Sequence, residues 1–98
     1  PTCARRICEN LTEASSDRVP ASLSMIGFFY DALLKVDQGK YRNYILDDIL
    51  AKYKIMLDAG ATTFWETCAG EADFGGAGSL CHGWSAMPVY YFHLLSEY

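Results

Sequence analysis

Apolar positions recur at helical spacing as far as Gly60 and lose that order beyond it. Between Cys3 and Ala14, Ile7 and Leu11 stand four apart among Arg5, Arg6, Glu9 and Glu13, which predicts a short helix over 3–14. Ser15-Ser16-Asp17 predicts a break and a cap, and Pro20 suits the first turn of a following helix. Residues 22–36 carry Leu23, Met25, Ile26, Phe28, Phe29, Tyr30, Leu33, Leu34 and Val36, apolar nearly all round. A helix of that kind is expected to be buried on most sides. Asp37-Gln38-Gly39 predicts its stop.

Residues 40–59 give the clearest amphipathic helix. Ile45, Ile49, Lys52 and Met56 share one stripe, with Leu46, Leu50, Tyr53 and Leu57 beside it. Asp47, Asp48 and Asp58 are expected on the solvated face, with Asp48 and Lys52 an i,i+4 pair worth roughly 0.3 kcal/mol. Gly60 is the residue expected just past the helix end. Two helices joined by a short turn make an αα-hairpin. The first needs more partners than this chain supplies. In a larger helical barrel it would line the inside and the second would cover the outside.

Beyond Gly60, the β-branched and aromatic run Thr62 to Thr67 is expected to be extended, with Thr62, Phe64 and Glu66 on one face and Thr63 and Trp65 on the other. Residues 69–78 hold four of the eight glycines, with Glu71 and Asp73 expected to be solvated. They predict a mobile loop of the sort that edges active sites. A last helix is expected to begin near Ser79 or Ser85 and to carry Val89, Tyr90, Phe92, Leu94 and Leu95, with Tyr90, Tyr91 and His93 packing. Pro88 fits only in its first turn or at a kink. The fold class expected is all-α.

Composition narrows the partners. The chain has 98 residues and a net charge of -4, with Arg5-Arg6 its one pair of adjacent arginines, so no basic surface is expected for nucleic acid. No apolar run reaches membrane-spanning length, and no membrane partner is expected. Pro1-Thr2-Cys3 opens without a methionine or a signal peptide, and a piece of a longer protein is expected. The four cysteines contain no C-x-x-C. Reduced, buried thiols are the leading expectation, in a reducing compartment, cytoplasmic ahead of periplasmic or secreted. A Cys68–Cys81 bridge is the alternative, and Cys68, Cys81 and His82 as zinc ligands a third. No metal and no cofactor are expected.

The candidate chemistry lies in two runs, Gly60-Ala61-Thr62-Thr63-Phe64-Trp65-Glu66-Thr67 and Ser79-Leu80-Cys81-His82-Gly83-Trp84-Ser85-Ala86-Met87-Pro88. Glu66 stands beside an indole and near Cys68, a partly buried setting that suits a general acid or base. Its plain alternative is an exposed loop carboxylate. Trp65 and Trp84 are either core side chains or rings on which sugar faces stack; His82 either satisfies the backbone or reads a hydroxyl. Glycoside hydrolysis normally uses two carboxylates roughly 5–9.5 Å apart, and only Glu66 is a credible candidate here.

From Ser22 to Leu95, about three-quarters of its length, the chain resembles the C-terminal end of the catalytic domain of bacterial α-L-rhamnosidases, glycoside hydrolase family 78. The match is carried by Leu23-Ser24-Met25 with Tyr30-Asp31-Ala32-Leu33-Leu34, by Met56-Leu57-Asp58 with the run from Gly60 to Thr67, and by the run from Ser79 to Ser85 with Pro88. The resemblance implies the last helical hairpins of an (α/α)6 six-hairpin barrel, with residues 1–98 its C-terminal fragment. It implies an inverting mechanism in which Glu66 is the general base and His82 contacts the sugar. The general acid would lie on the missing N-terminal part of the same domain, and the 98 residues alone are expected to be inactive. A competing expectation is a non-catalytic helical module that binds carbohydrate or a partner protein. Exposed apolar helix faces predict self-association in either case.

Overall fold

The computed structural model describes residues 2–13 and 21–96. Among them the chain is all-helical, with no strand. Helix α1 spans Thr2–Leu11, α2 spans Ile26–Asp58 and α3 spans Pro88–Ser96; two 3-10 turns, Gly70–Ala72 and Gly83–Ala86, lie between α2 and α3. Residues 14–20, with the expected break at Ser15-Ser16-Asp17 and the expected role of Pro20, lie outside the described residues.

The 33 residues of α2 are two helical arms rather than one rod. Asp37 has φ -161 and ψ 92, extended backbone inside an otherwise helical run. Its carboxylate Oδ1 accepts the backbone N–H of Lys40 at 3.0 Å. That is the geometry of an N-cap, so the residue that ends the first arm starts the second. The predicted stop at Asp37-Gln38-Gly39 is therefore a single-residue break. The arms fold against each other: Phe29 meets Tyr44 with ring centroids 6.3 Å apart, and the Tyr30 hydroxyl donates to Asp48 Oδ2 at 2.5 Å.

The second arm ends as its sequence predicts. Gly60 takes φ 82; its N–H bonds to the Leu57 carbonyl at 3.0 Å, and the Ala61 N–H to that of Met56 at 2.9 Å. This pair of bonds is the Schellman motif, and glycine adopts its left-handed position without a Cβ clash. Pro88 is the first residue of α3, where its missing N–H costs nothing.

Helices α1 and α3 both pack on α2. The core holds Cys8 from α1, Ile26, Tyr30, Leu33, Tyr41, Ile45 and Ile49 from α2, and Tyr91 and Leu95 from α3. Tyr30 and Tyr91 meet edge to face at 5.3 Å. The Tyr91 hydroxyl lies 2.6 Å from Asp31 Oδ1 and 2.8 Å from the Gly27 carbonyl, sharing its one proton between them. Arg42 Nε donates to the Leu95 carbonyl at 2.7 Å, satisfying one of the free acceptors at the end of α3. Lys40 pairs with Glu9 at 3.3 Å, tying α1 to the bend.

Several expectations are corrected. Helix α2 begins at Ile26, not at Ser22, because residues 22–25 form a turn closed by the Met25 N–H on the Ser22 carbonyl. Its first arm is not covered all round: Phe28 is 73% exposed, since α1 and α3 leave that face open. The stripe of Ile45, Ile49 and Met56 is buried, but Leu50 and Leu57 beside it are exposed. The last helix starts at Pro88, later than Ser79 or Ser85. Of the four thiols, only Cys8 is buried; Cys68 is half-buried, and Cys3 and Cys81 are exposed. The radius of gyration, 14.1 Å, exceeds the roughly 13 Å of a well-closed domain of this length, and the extents of 41 × 33 × 19 Å describe a slab. A slab has too little interior to cover every apolar side chain.

Candidate functional site

Past Gly60 the chain forms two irregular stretches held together by backbone hydrogen bonds; Thr62, Thr63, Glu66 and Thr67 are bends, so the expected extended run is broken. The Glu66 N–H bonds to the Ser79 carbonyl at 3.0 Å, and the His82 N–H to the Phe64 carbonyl at 2.7 Å. The Thr63 hydroxyl donates to the Leu80 carbonyl. These bonds are too few and too irregular for a β-ladder. They nevertheless set the two sequence runs side by side, with Glu66 on one stretch and His82 on the other.

The eleven residues that connect them, 68–78, are tightly built. The Asp73 carbonyl accepts the N–H groups of Gly76, Ala77 and Gly78 at 3.1, 3.1 and 3.0 Å. Its carboxylate accepts the Thr67 hydroxyl. Asp73 is thus half-buried at the centre of the loop, against the expectation that it is solvated; Glu71 is exposed. The predicted loop closes on itself in a turn, and two of its glycines sit where a side chain would collide. A Cβ on Gly78 would fall 1.7 Å from the Gly70 carbonyl oxygen, so the loop can close only over a glycine. A Cβ on Gly70, at φ 59, would fall 2.6 Å from Trp65 Cε3.

The expected site residues separate into two groups. Trp65 was expected either to pack or to offer a stacking face, and its ring is committed on one side to Gly70. Trp84 is 75% exposed, and His82 meets it edge to face with centroids 6.0 Å apart. Glu66 is partly exposed between the two stretches.

Beneath this loop lies a polar cluster that sequence reasoning missed. Asp48, expected on the solvated face, is folded inward: it accepts Tyr30 at 2.5 Å and Lys52 at 2.7 Å, and its side chain is 19% exposed. Burial first, then the Asp48 carboxylate, holds the Tyr30 phenol well above its ordinary range. Burial also pushes up the Tyr53 phenol, with the Cys68 thiol adding to it. The Cys68 thiol is itself raised, chiefly by burial and against the pull of Lys52, which suits an inert thiol rather than a nucleophile. The Tyr53 hydroxyl donates to the Ser85 carbonyl at 2.5 Å, joining α2 to the turn that carries Trp84. Ser85 is fully buried, and its Oγ has no hydrogen-bond partner among the described residues. Among the described residues, no group of three or more His, Cys, Asp or Glu side chains stands together to hold a metal ion. None of the described helices is long and apolar enough to cross a membrane.

Two grooves flank these elements. One, about 380 Å³, is apolar and lined by Ile49, Tyr53, Met56, Phe64, Pro88 and Phe92 among others. The second, about 560 Å³, lies between the first arm of α2 and α3 and mixes aromatic with charged side chains. Glu66, His82, Trp65 and Trp84 line neither, although Phe64 of the same run lines the first. No protein-family model, no curated protein and no solved structure matches the chain.

Proposed function

We propose that the chain forms the last hairpins of the (α/α)6 catalytic domain of an inverting glycoside hydrolase, α-L-rhamnosidase-like, with Glu66 as the general base. One observation supports this reading most directly: the pairing of Phe64 and Glu66 with His82 and Ser79. Two runs that are eleven residues apart, between Thr67 and Ser79, become neighbours. The backbone that carries Glu66 then lies beside the backbone that carries His82, whose ring meets the exposed indole of Trp84. In the proposed reaction Glu66 takes a proton from a water as that water attacks the anomeric carbon, and a second carboxylic acid protonates the leaving oxygen. That acid belongs to another part of a longer chain. His82 binds a sugar hydroxyl, the face of Trp84 stacks on the ring, and Trp65 supports the loop beside them.

The test is hydrolysis of a panel of aryl glycosides, α-L-rhamnoside included, by the natural polypeptide that carries these residues and by its Glu66→Gln variant. One sugar cleaved by the parent and not by the variant, with sugar binding retained, is the expected result. Near-parental turnover in the variant would remove Glu66 from the reaction. His82→Ala is expected to raise KM more than it lowers kcat.

A second reading rests on the apolar groove bounded by Tyr53, Phe64 and Phe92, beside the exposed Leu50 and Leu57. An open apolar surface of that kind fits a non-catalytic helical module that binds a partner protein or carbohydrate. Absence of hydrolysis on every glycoside, with the fold intact, would favour it.

A further inference from the structure

The groove between the first arm of α2 and α3 carries binding chemistry that the Glu66 surface does not use. Phe28, Asp31 and Lys35 follow one another at i, i+3 and i+7 along one face of the arm, and Gln38 closes its end. Tyr90 and Leu94 of α3 form the opposite wall. Two rings stand open at this groove, Phe28 at 73% and Tyr90 at 57% exposure.

The polar groups between the rings are available. Tyr91, buried beneath, hydrogen-bonds Asp31 Oδ1 at 2.6 Å and so orients the carboxylate. Asp31 Oδ2 has no hydrogen bond, and Lys35 no ion pair, among the described residues. Asp31 and Lys35 cancel in charge, so the groove does not select an ion. It offers an acceptor, a donor and, at Gln38, an amide that is both. Hydroxyl groups are both as well, and a pyranose ring adds apolar C–H faces that stack on aromatic rings. The volume, about 560 Å³, lies within the range of small-ligand sites.

We propose that this groove is a carbohydrate-binding site, separate from Glu66, in which Phe28 and Tyr90 cradle a pyranose ring and Asp31, Lys35 and Gln38 read its hydroxyls. It uses none of the residues of the proposed catalytic surface.

The experiment is amide chemical-shift titration of the chain with L-rhamnose, D-glucose, D-galactose and D-mannose in turn. The expected result is saturable shifts at Phe28, Asp31, Lys35 and Tyr90 with at least one sugar. Phe28→Ala and Tyr90→Ala should each weaken that binding about tenfold. Both side chains are exposed, and far-UV circular dichroism would confirm that the variants remain folded. Asp31→Asn keeps an acceptor for Tyr91 and should weaken binding while leaving the melting temperature close to the parent's. Glu66→Gln and Trp84→Ala should leave the affinity unchanged. No saturable shift with any of the four sugars would overturn the proposal. So would binding that survives the Phe28 and Tyr90 substitutions and falls with Trp84→Ala, which would put the sugar on the Glu66 surface instead.

Discussion

The Tyr30 hydroxyl donates to Asp48 Oδ2 at 2.5 Å across the bend in α2. It joins two residues eighteen apart in the chain and fixes how the arms fold together. The same carboxylate oxygen takes Lys52 Nζ at 2.7 Å. One half-shielded anion thereby satisfies a fully buried phenol from the first arm and an ammonium from its own arm at once.

Removing the phenol oxygen tests how much the fold depends on this bond. Hydrogen bonds to charged groups are worth about 1.5–3 kcal/mol. Tyr30→Phe is therefore expected to cost about 2 kcal/mol and to lower the melting temperature by roughly 10 °C. Asp48→Ala should cost more, about 3 kcal/mol, because it strands a buried hydroxyl and a half-buried ammonium together. Denaturant titration followed by circular dichroism would measure both. A Tyr30→Phe midpoint equal to the parent's would mean that apolar packing alone sets the bend.

Alkaline pH tests the same cluster from the opposite side. The phenols of Tyr30, Tyr53 and Tyr91 are all held above the ordinary value of 10.0, chiefly by burial. In the folded chain they keep their protons; in the unfolded chain they lose them near pH 10. Stability from these groups is thus fully present below pH 10 and falls as pH rises above it. A phenol that stays protonated contributes a slope of about 1.4 kcal/mol per pH unit. Part of the phenolate absorbance at 295 nm should therefore appear only together with loss of helical circular dichroism. A complete phenolate signal with the helices intact would contradict the burial of these three hydroxyls.

What could be read from the sequence was local. The stripe of Ile45, Ile49 and Met56, the glycine after the second arm, and the proline that opens α3 each follow from spacing and backbone chemistry within one element. Asp48 was misplaced because Lys52, four residues on, already accounts for it as half of a surface pair. Its other partner, Tyr30, comes near only through the bend. The break at Asp37 was visible, but its double use as stop and cap was not, since that depends on one residue taking extended φ and ψ between two helices. At the candidate site, the sequence singled out Glu66, His82, Trp65 and Trp84 as the residues expected to carry chemistry. Their division into a supporting indole, Trp65, and an open one, Trp84, arises from the closure of the glycine loop. Phe28, in the arm expected to be buried on most sides, is exposed because apolar pattern reports a preference and does not supply a neighbour.

The closure of that loop is open to a direct test at Gly78. An added Cβ would meet the Gly70 carbonyl oxygen at 1.7 Å, a backbone atom that cannot swing aside. Gly78→Ala should open the loop, disturb the Glu66–Ser79 pairing and change the fluorescence of Trp65. Gly83→Ala is the control: nothing lies within 4 Å of its added Cβ, and Gly83 has no positive φ. It should be neutral or stabilise by up to about 1 kcal/mol through the unfolded chain. Equal spectra and equal stability for the two variants would show that the loop tolerates a side chain at residue 78.

The two indoles should separate support from recognition. Trp65 has Gly70 beneath its ring, so Trp65→Ala is expected to leave a cavity under the loop and to cost about 3 kcal/mol. Trp84 is 75% exposed and meets His82 only at its edge, so Trp84→Ala should change stability by less than about 0.5 kcal/mol. If Trp84 is the stacking platform of the proposed glycosidase, its loss should still weaken sugar binding at that surface by about tenfold. Trp65→Phe, which keeps a ring against Gly70, should recover most of the lost stability. Measured together, the melting temperatures and sugar affinities would then move independently: Trp65 on the first axis, Trp84 on the second. A Trp84→Ala variant that loses stability instead would identify its ring as part of the packing around Ser85 and leave His82 without an exposed partner for the sugar.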